Sequence, residues 1–350
     1  MQIGRVTAIS SSLLSWYSAA KRELPWRITG NPYHIWLSEI ILQQTRVNQG
    51  LPYFEQFVSH YPTVQALALA PEQEVLRLWQ GLGYYSRARN LHKAAKVVHD
   101  KFDDAFPDNY DELLTLPGVG PYTAAAIASI GFGEAVPVLD GNVYRVVSRL
   151  YKIDKDISQP ATRKVFMSVL EKLIPEDSPG DFNQGLMELG ALICSPQNPK
   201  CDICPLSLFC EARASQSQTM FPVKKKKVKV RDRHFHYVSF RYDGLYGLQE
   251  RVEKDIWQGL FQFLLMEEEV FSIDDFIADN ELQVEITSVS ESYKHILTHQ
   301  RIEATFYELH FDEEAKFHSA LRKHALKSYT YEQMLNLPKP KLLVNYLDSF

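Results

Sequence analysis

The sequence has few cysteines, no long apolar stretch and no large excess of charge. No apolar run approaches the roughly 18 residues of a membrane-spanning helix, and the first residues lack the features of a secretory signal, so we expect a cytoplasmic protein. The formal net charge of -5 excludes a protein that coats nucleic acid through bulk charge. At 350 residues, 45% of them hydrophobic, the chain suits two packed domains.

All four cysteines lie between positions 194 and 210, whereas a disulfide framework would connect distant segments. Their spacing has one short C-x2-C pair between two longer arms, formed by Cys194, Cys201, Cys204 and Cys210. Four thiolates can hold either a zinc ion or a [4Fe–4S] cluster. Structural zinc sites usually pair two short knuckles. The spacing therefore favours a cluster over zinc or free thiols.

The hydrophobic period changes once along the chain. Up to residue 215, apolar residues recur at helical spacing. Residues 216–233 are polar and then basic, which indicates a linker, although this basic cluster also suits phosphate binding. Later residues alternate at strand period, with a hairpin turn at Asp243-Gly244 and a helix predicted over 273–279. We predict a mainly α-helical domain over 1–215, a linker over 216–233 and an α+β domain over 234–350.

Two short motifs in the helical domain combine glycines with a carboxylate. Gly118 and Gly120 lie in a tight turn ahead of a helix, where free backbone N–H groups can bind a phosphate. Asp140 follows an apolar run about twenty residues later and precedes Gly141. Each motif alone would indicate only a turn. Together they resemble the helix-hairpin-helix signature of the endonuclease III superfamily, which implies a functional role for Asp140.

Glu39 interrupts an otherwise apolar helical run over residues 35–45. A glutamate there either faces solvent or is buried with a raised pKa, as a general acid requires. Gln43 and Arg46 follow at i+4 and i+7, which predicts a polar helix face that lines a cleft. Residues 80–92 place paired tyrosines and arginines around glycines, a composition that suits base stacking and phosphate binding.

These motifs resemble the MutY-type adenine DNA glycosylases of the endonuclease III superfamily. The resemblance covers the cysteine array, the hairpin with its aspartate, the Ser-Glu and Leu-Gln-Gln-Thr block, and residues 80–92. It implies that Glu39 protonates the leaving adenine and that Asp140 stabilises the sugar, with Tyr122 and Asn142 orienting Asp140. It also implies that the four cysteines hold a [4Fe–4S] cluster.

The resemblance assigns further residues to DNA contact. Tyr84 would wedge into the duplex beside the opposite base, and Gln44 and Thr45 would lie near 8-oxoguanine. Tyr84 could instead pack in the core. Arg27 and Gln184 are candidate contacts to the adenine edge, with ordinary packing as the alternative.

Residues 234–350 resemble the Nudix-like, 8-oxoguanine-reading domain of the family. Leu297 and Thr298 stand where the family has Phe and Ser, followed by His299, so a hydroxyl and an imidazole remain as hydrogen-bonding groups. The Nudix catalytic box is absent. The domain is therefore expected to bind without hydrolysing pyrophosphates.

Bifunctional members carry a lysine just after the hairpin, whose amine forms a Schiff base with the sugar. Tyr122 occupies that place, and no lysine occurs between Gly118 and Gly141. We expect a monomeric, monofunctional, nucleoid-associated glycosylase acting on double-stranded DNA with A:8-oxoguanine or A:G mispairs. The alternatives are a pyrimidine-specific lyase like endonuclease III, a non-catalytic iron–sulfur DNA-binding protein and a nucleotide-sanitation enzyme.

Overall fold

The computed structural model describes residues 2–225 and 230–349, which leaves Lys226, Lys227 and Lys229 of the basic cluster outside the description. The chain divides into two compact units. The first comprises Met1–Leu69 and Asn90–Lys226, and the second comprises Ala70–Arg89 and Lys227–Phe350. Residues 70–89, which the sequence analysis assigned to the helical domain, thus group with the second unit.

Helices make up the described chain as far as residue 214, and several of them begin with proline, whose fixed φ suits the first helical position. In chain order they are α1 (Gln2–Ala20), α2 (Pro25–Ile28), α3 (Pro32–Leu42), α4 (Val47–His60), α5 (Val64–Leu69), α6 (Glu72–Leu78), α7 (Ser86–Phe102), α8 (Tyr110–Leu113), α9 (Pro121–Phe132), α10 (Gly141–Leu150), α11 (Pro160–Leu173), α12 (Pro179–Leu192) and α13 (Glu211–Ala214). Short 3₁₀ turns cover Cys201–Ile203, Ser207–Phe209 and Gln218–Met220.

Close packing of α9, α10 and α12 forms the centre of the first unit. The alanines from 124 to 128 on α9 are buried, and these small side chains let neighbouring backbones approach. A Cβ on Gly180 would lie 2.7 Å from the carbonyl oxygen of Ser129, and a Cβ on Gly190 would lie 2.6 Å from the Cβ of Asn142. Glycines therefore set the distances from α12 to α9 and to the start of α10.

The helix that carries Glu39 is shorter than the apolar run predicts. α3 ends at Leu42, because Gln43 takes an extended ψ of 113° and Gln44 has a left-handed φ of 56°. Arg46 is the residue before α4. The prediction that Arg46 shares the helix of Glu39 is therefore wrong.

The second unit contains a mixed sheet flanked by helices. Its strands are β1 (Arg231–Tyr242), β2 (Leu245–Glu250), β3 (Phe261–Gln262), β4 (Leu264–Glu267), β5 (Glu285–Val289), β6 (Tyr293–Ile296), β7 (Gln300–His310) and β8 (Lys327–Thr330). Its later helices are α14 (Ile273–Asp279), α15 (Glu314–Lys323), α16 (Tyr331–Asn336) and α17 (Lys341–Leu347). The hairpin at Asp243-Gly244 and the helix over 273–279 are confirmed.

Strand order in the sheet is β3-β2-β1-β7-β5, with β4 also pairing with β1, β6 with β7, and β8 with β2. The long central strands β1 and β7 run parallel from Arg231↔Gln300 to Arg241↔His310, and the other pairs are antiparallel. A helical domain followed by an α+β domain was predicted, and this fold class is confirmed. No helix among the described residues is long and apolar enough to cross a membrane.

Candidate active site

A cavity of about 980 Å³ in the first unit is lined by both predicted catalytic carboxylates, Glu39 and Asp140. Glu39 projects from α3, whose other side chains are mostly buried and apolar. Asp140 immediately precedes α10 and caps it. The cavity is also lined by most of the remaining residues that the sequence analysis selected in this unit: Arg27, Gln44, Thr45, Gly118, Gly120, Tyr122, Asn142 and Gln184.

Glu39 is partly buried and lines this cavity. Its pKa rises from the usual 4.5 to about 7, chiefly because of burial and also because of the neighbouring charge of Asp140. A hydrogen bond from Tyr122 and the positive charge of Arg27 oppose that rise. A carboxyl with this pKa can both donate and accept a proton near neutral pH.

Asp140 is held in place by hydrogen bonds to both carboxylate oxygens. The backbone N–H of Val143 donates to Oδ1 at 2.7 Å, and Nδ2 of Asn142 donates to Oδ2 at 2.8 Å. Burial raises the pKa of Asp140 above its usual value, and these donors, together with the charge of Arg145, oppose only part of that rise. The carboxylate is thus oriented by its own helix terminus, an arrangement that suits a fixed negative charge.

Tyr122 stands at the start of α9, and its hydroxyl lies 3.1 Å from Sδ of Met187. Burial, together with the charges of Glu39 and Asp140, raises the pKa of Tyr122 well above 10. The phenol is therefore neutral and hydrogen-bonds to Glu39. Asp140 hydrogen-bonds to Val143 and Asn142, whereas Tyr122 hydrogen-bonds to Glu39, so Tyr122 adjoins Glu39 more directly than it does Asp140.

A buried carboxylate that the sequence analysis did not select holds two arginines on the wall of this cavity. Glu188 accepts from Nε of Arg22 at 2.6 Å and from Nη2 of Arg27 at 3.0 Å. Burial alone would raise the pKa of Glu188, but the hydrogen bonds from both arginines outweigh it and lower the pKa to about 2. Arg27 is thereby fixed beside the cavity, which Gln184 also lines.

The hairpin glycines meet different steric limits. Gly118 has a left-handed φ of 75°, and a Cβ there would lie 2.6 Å from the Cβ of Asn90, so only glycine fits. Gly120 directly precedes α9, and a Cβ there would meet no heavy atom within 4 Å. The backbone in front of α9 is therefore open to an approaching group.

The four cysteines line one small cavity together with Arg149 and Gln218. Burial, together with the charges of the other three cysteines, raises the pKa of Cys204 to about 11, which reflects the proximity of the four thiols. Nη1 of Arg149 donates to Sγ of Cys194 at 3.3 Å, and Nε2 of Gln218 donates to Sγ of Cys201 at 3.5 Å. No group of three His, Cys, Asp or Glu side chains among the described residues converges on a point as ligands of one metal ion would.

Arg145 and Arg149 on α10 hold the cysteine loop through backbone carbonyls. Arg145 donates to the carbonyl of Cys194 at 2.7 Å and to Oδ1 of Asn142 at 2.9 Å. Arg149, which is 2% exposed, donates to the carbonyl of Ser195 at 2.7 Å. The same helix therefore supports both the loop and the amide that orients Asp140.

In the second unit, the turn between β6 and β7 carries Thr298 and His299, and both side chains are exposed. Tyr84 is 44% exposed, which excludes the alternative that it packs in the core, whereas Tyr85 is 4% exposed. The hydroxyls of Tyr84 and Thr298 lie 2.6 Å apart. Arg87, expected to suit phosphate binding, is instead 9% exposed.

Two family models match separate parts of the chain. The model described as "HhH-GPD superfamily base excision DNA repair protein" matches residues 37–174, and a NUDIX domain model matches residues 236–349. The "Adenine DNA glycosylase" of Buchnera aphidicola subsp. Schizaphis graminum is 34% identical over 300 residues, which is 84% of this chain and 86% of that protein. The chain belongs to the adenine DNA glycosylase family. It is therefore a DNA glycosylase of base-excision repair.

Other relatives agree with this assignment. The "Adenine DNA glycosylase" of Homo sapiens is 44% identical over 225 residues, covering 62% of this chain and 41% of that protein. Among solved structures, a thermostable thymine-DNA glycosylase matches with a TM-score of 0.56 and 30% identity over 61% of this chain and 98% of that one. A non-covalent endonuclease III–DNA complex matches with a TM-score of 0.51 and 25% identity, covering 59% and 94%.

Proposed function

We propose that the enzyme hydrolyses the N-glycosidic bond of adenine paired with 8-oxoguanine, or with guanine, in duplex DNA. The observation that carries this proposal is the pairing of Glu39, whose pKa burial raises to about 7, with the oriented carboxylate of Asp140 in one cavity. When their surroundings give two neighbouring carboxylates different pKa values, the two groups can serve as a proton donor and as its electrostatic partner. A cavity of about 980 Å³ accommodates an extruded base.

In this mechanism, adenine is flipped out of the duplex into the cavity. The protonated carboxyl of Glu39 donates to N7, the bond between C1′ and N9 breaks, and adenine leaves. The Asp140 carboxylate stabilises the positive charge that develops on the sugar. A water oxygen then bonds to C1′, and its proton returns to Glu39, which restores the acid.

The same geometry supports a monofunctional enzyme. A lyase step requires an amine that forms a Schiff base with the sugar. Tyr122, whose pKa burial raises well above 10, stands where the family's bifunctional members carry that amine. Its phenol hydrogen-bonds to Glu39 and contributes to holding the acid in place.

The wall formed by Arg27 and Gln184 supplies the contacts to the adenine edge. The guanidinium of Arg27 donates to Glu188 at 3.0 Å, so its position is set before substrate arrives. The Gln184 amide, which is 8% exposed, offers both a donor and an acceptor. Such preset polar groups favour one base over others because a mismatched edge leaves them unpaired.

We also propose that the four cysteines hold a [4Fe–4S] cluster. They line one cavity, and the N–H donors of Arg149 and Gln218 point at two of their sulfurs, an arrangement that stabilises thiolates. When bound, the cluster would supply a rigid anchor for the loop over residues 194–210. Every step of adenine release is carried by the chain's own residues.

Residues in each unit, taken separately, offer contacts to the strand opposite adenine. The hairpin at Gly118 and Gly120 offers backbone N–H groups to a phosphate. In the first unit, Gln44 and Thr45 offer hydrogen-bonding groups to the opposite base. In the second unit, Tyr84 offers a planar ring to that base, and the turn with Thr298 and His299 offers polar groups to the same strand. We expect the chain to act on such mispairs as a monomer.

Single-turnover assays on duplexes with adenine opposite 8-oxoguanine, guanine, cytosine and thymine test the proposal. We expect fast release opposite 8-oxoguanine, slower release opposite guanine, and strand breaks only after alkali. Glu39→Gln should abolish release, whereas Glu55→Gln, the same change at an exposed site on α4, should not. Release of pyrimidines, or strand cleavage without alkali, would favour the alternative of an endonuclease III-like lyase.

A further inference from the structure

Tyr84 combines an exposed ring with an unusual backbone. Its φ is 50°, a left-handed conformation that costs free energy for a residue with a Cβ and is common at functional sites. Gly83 beside it has a φ of 72°. The turn thus projects an aromatic side chain outward at the expense of local backbone preference.

The backbone around this tyrosine is held firmly to its own unit. Nε1 of Trp79 donates to the carbonyl of Gly83 at 3.0 Å, and Nη1 of Arg89 donates to the carbonyl of Gln258 at 2.6 Å. The N–H of Lys339 donates to Oε1 of Gln80 at 2.9 Å. These bonds hold the segment on both sides of Tyr84, so the position of its ring depends mainly on how the side chain rotates.

Two contacts restrict that rotation. The guanidinium of Arg87 lies 5.7 Å from the ring centroid of Tyr84 and 5.1 Å from that of Trp79, within the range of cation–π attraction. At the outer end of the ring, the Tyr84 hydroxyl lies 2.6 Å from the hydroxyl of Thr298. Thr298 is exposed and lies in the turn between β6 and β7, far away in sequence.

We propose that Thr298 is a positioning residue that acts through Tyr84: its hydroxyl sets the pose in which the ring enters the duplex beside the opposite base. The inference rests on the proposed function, in which Tyr84 is the wedge. It assigns to the Thr298 hydroxyl a role that does not require contact with the base. The turn over residues 297–299 and the wedge then discriminate between opposite bases together.

A double-mutant cycle tests this coupling. The variants are Thr298→Val, Tyr84→Phe and the pair, and the measurement is the ratio of single-turnover rates opposite 8-oxoguanine and opposite guanine, at subsaturating enzyme. Each single variant should lower that ratio by about 2- to 12-fold, the equivalent of one hydrogen bond of roughly 0.5–1.5 kcal/mol. The double variant should be no worse than the worse single variant, because both changes remove the same bond.

Three further measurements isolate the positioning role. Thr298→Ser keeps a hydroxyl and should restore the ratio. Thr287→Val, the same kind of change on β5 where the hydroxyl donates to the carbonyl of Glu308, should leave it unchanged. A 2-aminopurine placed beside 8-oxoguanine should unstack less in Thr298→Val than in wild type, since the wedge enters less reliably.

Multiplicative losses in the double variant would overturn the inference and assign the Thr298 hydroxyl a direct contact with the base. A wild-type fluorescence signal in Thr298→Val would overturn it as well. Neither result bears on the proposed function, which fails separately if the wild-type enzyme shows no preference for adenine opposite 8-oxoguanine.

Discussion

The raised pKa of Glu39 predicts a specific pH dependence of adenine release. Burial, together with the charge of Asp140, raises that pKa from the usual 4.5 to about 7. Only the protonated carboxyl can donate to adenine. The single-turnover rate at saturating enzyme should therefore fall as pH rises through about 7.

The magnitude follows from the protonated fraction. With a pKa near 7, about 0.9 of the Glu39 carboxyls carry a proton at pH 6 and about 0.1 at pH 8, so the rate should fall about tenfold between them. At the usual pKa, only about 0.3% of the carboxyls would be protonated at pH 7. Burial thus increases the population of active acid at neutral pH by roughly two orders of magnitude.

The assay is quenched-flow release of adenine opposite 8-oxoguanine between pH 5.5 and 9. Glu39→Gln should lower the rate by about 10²- to 10⁴-fold, and its residual rate should lack the inflection near pH 7. The exposed Glu55→Gln control should keep the wild-type profile. A wild-type rate that is flat or rising between pH 6 and 8 would refute the assignment of Glu39 as the acid.

Four further outcomes are expected. Because the pKa of Glu39 is higher in the folded than in the unfolded state, ionisation of Glu39 opposes folding. Glu39→Gln should therefore raise the free energy of unfolding in urea at pH 8 by at most about 3 kcal/mol. Below pH 4.5, where Glu39 is protonated in both states, the substitution should give no gain. Asp140→Asn should lose adenine release but keep the melting temperature, since asparagine also caps helices. Borohydride should trap no adduct with wild-type enzyme, and efficient trapping would contradict the role given to Tyr122. Purified protein should absorb broadly near 400 nm, and a colourless protein with stoichiometric zinc would contradict the cluster.

Features encoded by adjacent residues were accessible from the sequence. A carboxylate directly before a helix caps it, so Asp140 and its neighbour Asn142 meet through local backbone geometry alone. The left-handed φ of 75° at Gly118 likewise arises within a tight hairpin turn. The change from a helical to a strand-like hydrophobic period also predicted a helical domain followed by an α+β domain, because side chains repeat every 3.6 residues in a helix and every two in a strand.

Features that depend on tertiary packing were not accessible. Glu188 lies on α12, yet it binds Arg22 and Arg27 from the start of the chain, and nothing local to any of the three indicates their contact. The end of α3 at Leu42 depends on the left-handed Gln44, a conformation that residue type does not predict. The grouping of residues 70–89 with the second unit depends on contacts such as that between Gln80 and Lys339.

Three carboxylates line the cavity of the first unit, and their surroundings give them different chemistry. Glu188 bonds to two guanidiniums, which hold its pKa at about 2 and keep it ionised at any pH where the enzyme works. Glu39 hydrogen-bonds to the phenol of Tyr122 and to no guanidinium in the part of the chain that the structure describes, so burial outweighs the charge of Arg27 and its pKa rises to about 7. If an arginine paired with Glu39 as Arg22 pairs with Glu188, the acid would be lost. The hydrogen bond of Arg27 to Glu188 therefore has two consequences: it fixes the guanidinium that we propose contacts the base, and it directs that guanidinium to Glu188, so that its charge offsets only part of the rise in the pKa of Glu39.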